Sequence, residues 1–86
     1  MTTITIQILE NTCIKQEQTF EFSCLPNAIK ALKALIVTEE NLTGKKHWFN
    51  QPKRCWDVAK CIGDGTRFIL NAELEHIFKA DDFINQ

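Results

Sequence analysis

TITIQI, residues 3–8, alternates strictly between polar and apolar side chains. A period of two places Ile4, Ile6 and Ile8 on one face of an extended strand, and β-branched residues favour that conformation. TFEFSC, residues 19–24, alternates in the same way and predicts a second strand, with the polar run 15–18 as the turn between them. If the first strand continues to Cys13, a bulge near residues 9–11 is needed because Leu9 falls out of phase.

A helix is expected next, over about residues 27–37. Pro26 suits a first helical turn and Asn27 is a favoured cap residue. Apolar residues at helical spacing form its buried stripe, namely Ile29, Leu32, Leu35 and Ile36. Residues 38–54 show no sustained period and contain Gly44 and Pro52, so they predict one long connecting loop. Loops of this length are uncommon in compact domains and tend to be functional or mobile.

CWDVAKCIGDGTRFIL, residues 55–70, predicts a hairpin whose turn is centred on Asp64 and Gly65. With that turn, one face of the hairpin collects Ala59, Cys61, Phe68 and Leu70. The opposite face then holds Trp56, Val58, Ile62 and Ile69, and it is too apolar to be merely solvated. After the hairpin, Asn71 is positioned to cap a final helix over residues 72–80, with an apolar stripe of Leu74, Ile77 and Phe78.

The element order is strand, strand, helix, long loop, strand, strand, helix. It predicts an α+β fold for residues 1–86, a small single domain with a mostly antiparallel sheet covered by helices. The opening hairpin and helix resemble the start of ubiquitin-like β-grasp domains over residues 1–37. This resemblance implies a β-grasp-like alternative, although that fold normally ends in a strand.

The charges nearly cancel, with 10 Lys and Arg against 11 Asp and Glu. No global field therefore drives binding to nucleic acid or to an anionic membrane, and electrostatic recognition must be local. The N-terminus lacks a basic segment followed by an apolar run, and no apolar stretch reaches about 18 residues. We expect a cytoplasmic protein that does not bind membranes and whose four cysteines are reduced.

Metal and catalytic chemistry have weak support in this sequence. The thiols and imidazoles belong to Cys13, Cys24, Cys55, Cys61, His47 and His76. Zinc sites usually take ligand pairs two to four residues apart, and no two of these cysteines are that close, so a zinc-binding domain is the weakest of the interpretations. No glycine-rich phosphate loop or paired metal-binding carboxylates occur. We expect a non-enzymatic protein with no catalytic residues and no cofactor.

The segment around residues 45–56 concentrates basic and aromatic side chains: Lys45, Lys46, His47, Trp48, Phe49, Lys53, Arg54 and Trp56. Because Trp and Arg are over-represented among interface hot spots, the first interpretation is a protein-binding module that contacts a larger protein through these residues. The same cations can pair with phosphates while the rings stack on bases, so a nucleic-acid-binding domain is the second. A third interpretation has Trp48 and Phe49 closing the core beneath solvated lysines.

In size and in its lack of motifs, the chain resembles small phage-encoded inhibitors of host defences, anti-CRISPR proteins among them. The resemblance implies an inhibitor or regulator whose partner is a larger protein or protein complex. The apolar hairpin face predicted above also leaves a homodimer open.

Overall fold

The computed structural model describes residues 2–50 and 54–72. Within these ranges five strands form one antiparallel sheet, and one helix packs against it. The elements are β1 Thr2–Glu10, β2 Cys13–Phe22, α1 Leu25–Thr43, β3 His47–Asn50, β4 Cys55–Cys61 and β5 Asp64–Asn71. The strand order is β2-β1-β5-β4-β3. The α+β class therefore agrees with the sequence, whereas the element order differs from the predicted one.

The core lies between α1 and the face of the sheet turned toward it, here called the inner face. Cross-strand register places Ile4 opposite Leu70, while Phe68 lies between Ile6 and Trp56. The helix contributes to this core three buried residues spaced one turn apart, Ala28, Leu32 and Ile36. The buried cluster comprises Ile4, Ala28, Leu32, Ile36, Trp56, Val58, Phe68 and Leu70. The alternation predicted for β1 is thus confirmed for its first two isoleucines, and Ile8 is 40% exposed.

The first hairpin turns at Asn11 and Thr12, so the turn predicted in the polar run 15–18 is wrong. Both turn residues adopt left-handed backbone conformations, with φ of 53° and 65°, as a two-residue hairpin turn requires. The register shifts between Ile8 and Leu9, close to the bulge that the sequence predicts for a longer first strand. The run 15–18 is polar because β2 is an exposed edge strand.

The helix is longer at both ends than predicted, running from Leu25 to Thr43. Cys24 is its N-cap residue, with extended backbone and no side-chain cap hydrogen bond. Asn27 lies inside the helix, so its predicted capping role is wrong, whereas Pro26 does lie in the first turn. The helix ends where Gly44 adopts a φ of 71° and donates its N–H to the Glu40 carbonyl at 2.8 Å.

The long loop predicted over residues 38–54 is wrong, because residues 38–43 continue α1 and residues 47–50 form β3. Two acidic side chains explain the extension of the helix. Glu39 accepts a hydrogen bond from the Thr66 hydroxyl at 3.0 Å, and Glu40 accepts one from the His47 backbone N–H at 2.9 Å. These partners come from β5 and β3, so the apolar period along the helix gives no sign of them.

β4 and β5 form the predicted hairpin with a different register. The turn residues are Ile62 and Gly63, so the predicted turn at Asp64 and Gly65 is wrong. Gly65 instead lies opposite Ala59, where its φ is 152° and an added Cβ would be 2.5 Å from the Val58 carbonyl oxygen. Only glycine tolerates that approach. The observed register brings Trp56, Val58, Phe68 and Leu70 onto one inner face, which corrects the two predicted faces.

The predicted helix over residues 72–80 lies outside the described residues, apart from Ala72. Asn71, its predicted cap, is the last residue of β5. Within the described ranges, no helix combines the length and the apolar character that crossing a bilayer requires.

Candidate partner-binding surface

Trp48 is the exposed aromatic side chain of the short edge strand β3, with 57% of its surface accessible. Successive side chains of a strand point to opposite faces. Its neighbours His47 and Phe49 point to the inner face, so Trp48 points to the other side of the sheet, here called the outer face. Within the segment predicted to contact a partner, successive side chains of β3 therefore lie on opposite faces of the sheet.

Phe49 and Trp56 belong to the inner face. They are cross-strand partners on β3 and β4, and their rings stack with centroids 4.5 Å apart and planes 16° from parallel. Trp56 is fully buried and Phe49 packs against the core cluster. The recognition role predicted for these two residues is not supported by their position. The interpretation in which aromatics close the core fits Phe49 and does not fit Trp48.

His47 connects the end of α1 to β3. Its backbone N–H donates to Glu40 Oε2, and its Nδ1 lies 2.5 Å from the same oxygen. Burial alone would raise the pKa of Glu40, but the backbone and side-chain hydrogen bonds from His47 outweigh burial and lower it. The His47 side chain is only 8% exposed, and its two contacts with Glu40 link the start of β3, the strand of Trp48, to the end of α1.

Lys45 and Lys46 are exposed on the connection that leads from the helix into β3. Together with Lys60 on β4, they form no ion pair with any residue in the described ranges. Arg54 is partly buried, has a left-handed backbone, and accepts a hydrogen bond on its carbonyl from the Leu70 N–H at 3.1 Å. It shapes the entry into β4. Lys53, also predicted to contact a partner, lies outside the described residues.

Trp48 lines a groove of about 570 Å³ that extends to the β4–β5 turn. Lys45 and Lys60 also line it, as does Ile62, which is fully exposed in the turn. We call these four residues the Trp48 groove. Lys60 and Ile62 are the members that the sequence pattern does not reveal as partner-binding residues. Ile62 is exposed because the observed register places it in the turn between Cys61 and Asp64, which the sequence pattern does not predict.

A row of polar side chains crosses the outer face beside Trp48. Trp48 lies opposite Asp57, and the row continues through Arg67 and Gln7 to Glu17. Arg67 Nε donates to Asp57 Oδ1 at 2.6 Å, and this hydrogen bond raises the pKa of Arg67. Gln7 Nε2 donates to Glu17 Oε1 at 3.0 Å. Asp57 is paired with Arg67, whereas Lys45, Lys60 and Asp64, which also line the groove, form no ion pair among the described residues.

Contacts between the two hairpin turns hold the far end of the groove. The Thr12 N–H donates to the Gly63 carbonyl at 2.9 Å, and the Asn11 N–H donates to Asp64 Oδ1 at 2.7 Å. The Cys61 thiol donates to Asp64 Oδ2 at 3.0 Å, which raises the pKa of Cys61 and lowers the pKa of Asp64. Cys61 therefore has less thiolate character than an ordinary exposed cysteine, which disfavours a nucleophilic role.

All four cysteines are free thiols, and Cys55 alone among them is buried. In the described part of the chain, no group of three or more His, Cys, Asp or Glu side chains is arranged to hold a metal ion. The zinc interpretation thus gains no support from the fold.

The comparisons with known proteins identify no family for this chain, since no family model, no curated protein and no solved structure matches it.

Proposed function

We propose that this protein is a non-enzymatic protein-binding module, and that the Trp48 groove receives an apolar segment of a larger protein that carries acidic residues. The observation that carries the proposal is the 57% exposure of Trp48 beside a groove. Burial of a whole aromatic side chain removes roughly 150 to 250 Å² from water, and a partner that covers Trp48 would bury the exposed part of that area. Tryptophan is also among the residues most enriched at the energetic centres of protein interfaces.

The charge around the groove supports an acidic partner. Lys45 and Lys60 line the groove and pair with no described carboxylate. Of the two aspartates in the lining, Asp57 is paired with Arg67, and Asp64 accepts hydrogen bonds from neutral donors of the hairpin turns and keeps its negative charge. The lining therefore holds three cations, Lys45, Lys60 and Arg67, against two carboxylates, Asp57 and Asp64, and this small positive excess favours and orients a partner that carries carboxylates.

A module of this kind suits an inhibitor or regulator, of the type found in phages and mobile elements, because occlusion of a partner's surface needs no catalytic group. The groove residues come from strands, a turn and the short segment after the helix. Residues held by a hydrogen-bonded sheet lose less conformational entropy on binding than residues of a flexible loop.

Nucleic-acid binding is the second candidate. Three lysines without described ion-pair partners, Lys45, Lys46 and Lys60, lie near an exposed ring on which a base can stack. Salt separates the two functions. Phosphate contacts lose affinity steeply as salt concentration rises, whereas an apolar interface anchored by Trp48 loses much less.

The testing experiment is affinity purification from the native host with and without nuclease, followed by mass spectrometry. Two variants are compared with the wild type. One carries Trp48→Ala alone, and the other combines Trp48→Ala with Lys45→Ala and Lys46→Ala. Leu42→Ala is the matched control, because Leu42 is 76% exposed on the helix, outside the groove. We expect a protein partner that survives nuclease, is lost with both Trp48 variants and is retained with Leu42→Ala. A partner recovered equally with all variants would contradict the proposal.

A further inference from the structure

β2 forms the edge of the sheet opposite β3. It is ten residues long, every residue except Phe22 is exposed, and among the described residues it pairs with β1 alone. A strand edge of this length presents a row of backbone N–H and C=O groups that a further strand can complete.

The regular part of this edge is residues 16–22. Lys15 has no partner on β1, because the register passes from Gln16 to Ile14 at a bulge. From Gln16 onward each residue has one partner on β1, and this part of the strand contains neither proline nor lysine. Prolines, lysines and bulges are the features that usually keep a sheet edge from pairing. Residues 16–22 therefore remain open to an added strand.

The outer-face side of this edge is acidic. Glu17 and Thr19 lie on the outer face, where they form hydrogen bonds with Gln7 and Thr5 of β1. Alternation within the regular part places Glu21 on the same face. Neither glutamate forms an ion pair with a residue of the described ranges. An added strand would therefore lie beside two uncompensated carboxylates four residues apart.

The inner-face side of the same edge is partly apolar. Phe20 is 41% exposed and Ile8 of β1 is 40% exposed. A depression of about 370 Å³ is lined by Ile6, Ile8 and residues 16–18. Apolar side chains of an added strand that point to the inner face would bury surface against Phe20 and this depression.

We propose that the β2 edge binds an extended segment of another protein in which basic and apolar side chains alternate, and that this segment is added to the sheet as a further strand. Charge complementarity identifies the segment, since Lys or Arg at two positions four residues apart would oppose Glu17 and Glu21. In either strand direction, a residue adjacent to the cation at Glu21 faces Phe20, so this position is apolar.

A second copy of β2 is a less suitable occupant. In registers centred on Glu17, Thr19 or Glu21, glutamates of the two copies would oppose each other. A strand that carries cations has no such repulsion in the register described above.

The inference is independent of the proposed function, because β3 and Trp48 lie at the other edge of the sheet. The Trp48 groove favours a partner that carries carboxylates, whereas the β2 edge favours one that carries cations. Variants of one site therefore leave the other intact, and the two proposals fail separately.

The testing experiment uses a fluorescently labelled synthetic peptide, TKVTVKT, titrated with the full chain and followed by fluorescence anisotropy. Its palindromic sequence fits both strand directions, with the lysines opposite Glu17 and Glu21. We expect saturable binding that Glu17→Lys combined with Glu21→Lys weakens about tenfold or more. The acidic peptide TEVTVET should have the reverse preference and bind the combined variant more tightly than the wild type.

Two controls separate the edge from the rest of the protein. Glu10→Lys makes the same charge change at an exposed position beside the first turn, outside the regular part of β2, and should leave the affinity for TKVTVKT unaltered. Trp48→Ala should also leave it unaltered. Circular dichroism of each variant checks that the fold is kept.

Backbone methylation distinguishes strand pairing from charge attraction alone. Alternate residues of a strand direct their N–H groups to opposite edges, so two versions of TKVTVKT that are N-methylated on alternate sets of residues block opposite edges of the peptide. One version should lose binding and the other should retain it. Equal binding of the two versions would overturn the proposal, as would a failure of TKVTVKT to bind at any attainable concentration. Equal affinity of the wild type for TKVTVKT and TEVTVET would overturn it as well.

Discussion

Phe49 stacks on Trp56 across β3 and β4, with ring centroids 4.5 Å apart. This contact ties the four-residue strand β3 to the core, and the next residue back along the chain, Trp48, is thereby held on the outer face. Side chains on the two faces of this short edge strand thus have two different functions. The inner side chains supply stability, and the outer one supplies the exposed ring of the proposed partner-binding surface.

Phe49→Ala should lower the free energy of unfolding much more than Trp48→Ala does. Removing the half-buried Phe49 ring leaves a cavity against Trp56, and we expect a loss of about 2 to 3 kcal/mol in the free energy of unfolding, below the range for fully buried rings. Trp48→Ala should change it by less than about 0.5 kcal/mol, as at most exposed positions. Urea denaturation measures both. Equal destabilisation by the two variants would contradict the assignment of the two faces.

Gly65→Ala should destabilise the protein much more than Gly44→Ala. At Gly65 a Cβ would meet the Val58 carbonyl oxygen at 2.5 Å and the Ala59 Cα at 2.7 Å, both of them backbone atoms of the paired strand. At Gly44, φ is 71° and an added Cβ would meet no atom within 4 Å beyond its chain neighbours and its own helix, so only the conformational cost of about 1 kcal/mol applies. Thermal unfolding compares the two variants. A Gly65→Ala protein as stable as Gly44→Ala would rule out the observed hairpin register.

Glu40→Gln should change how stability depends on acid pH. Hydrogen bonds from His47 place the folded-state pKa of Glu40 below its ordinary value of 4.5. The ionised side chain therefore contributes stability that is fully present above the unfolded pKa and is lost as pH falls through the folded pKa. We expect the stability difference between wild type and variant to be constant near neutral pH and to shrink below about pH 4.5. Urea titrations at pH 7 and pH 3 measure this difference; one that grows toward acid pH would contradict the sign.

Asp64→Asn should increase the reactivity of Cys61. The Asp64 carboxylate accepts the thiol hydrogen bond and raises the pKa of Cys61, which reduces the thiolate fraction. With a neutral amide at position 64, alkylation of Cys61 at mildly alkaline pH should be faster. Exposed Cys13 is the internal control, and buried Cys55 should react slowly in both proteins. Peptide mapping after timed labelling with iodoacetamide measures the rates, and an unchanged Cys61 rate would contradict the role of Asp64.

The parts of the fold that the sequence predicts are those where one face of an element is buried and the other is solvated. β1 and the helix stripe around Leu32 and Ile36 have this property, and their periods are visible in the chain. The second hairpin is predicted as an element but placed in the wrong register. Its Asp64-Gly65 pair resembles a turn, whereas the glycine is required for close approach to β4 instead.

The parts that the sequence does not predict depend on distant contacts. The last turns of α1 are stabilised by hydrogen bonds of Glu39 with Thr66 and of Glu40 with His47. The local sequence pattern therefore does not predict these turns. β3 has only four residues, too few for an alternation to be recognised. For the candidate site, the basic and aromatic composition predicts Lys45, Lys46 and Trp48. It does not show that Trp48 is on the outer face and Phe49 on the inner face, which follows only once β3 is known to be a strand. Lys60 and Ile62 join the site through the hairpin register.

The most direct test of the central claim is the affinity of the captured partner for Trp48→Ala, measured by isothermal calorimetry beside wild type and Leu42→Ala. If the Trp48 groove is the recognition surface, Trp48→Ala should raise the Kd roughly thirtyfold or more, as for a hot-spot residue worth at least about 2 kcal/mol. Leu42→Ala should bind like wild type. A folded Trp48→Ala protein that binds with wild-type affinity would contradict the claim.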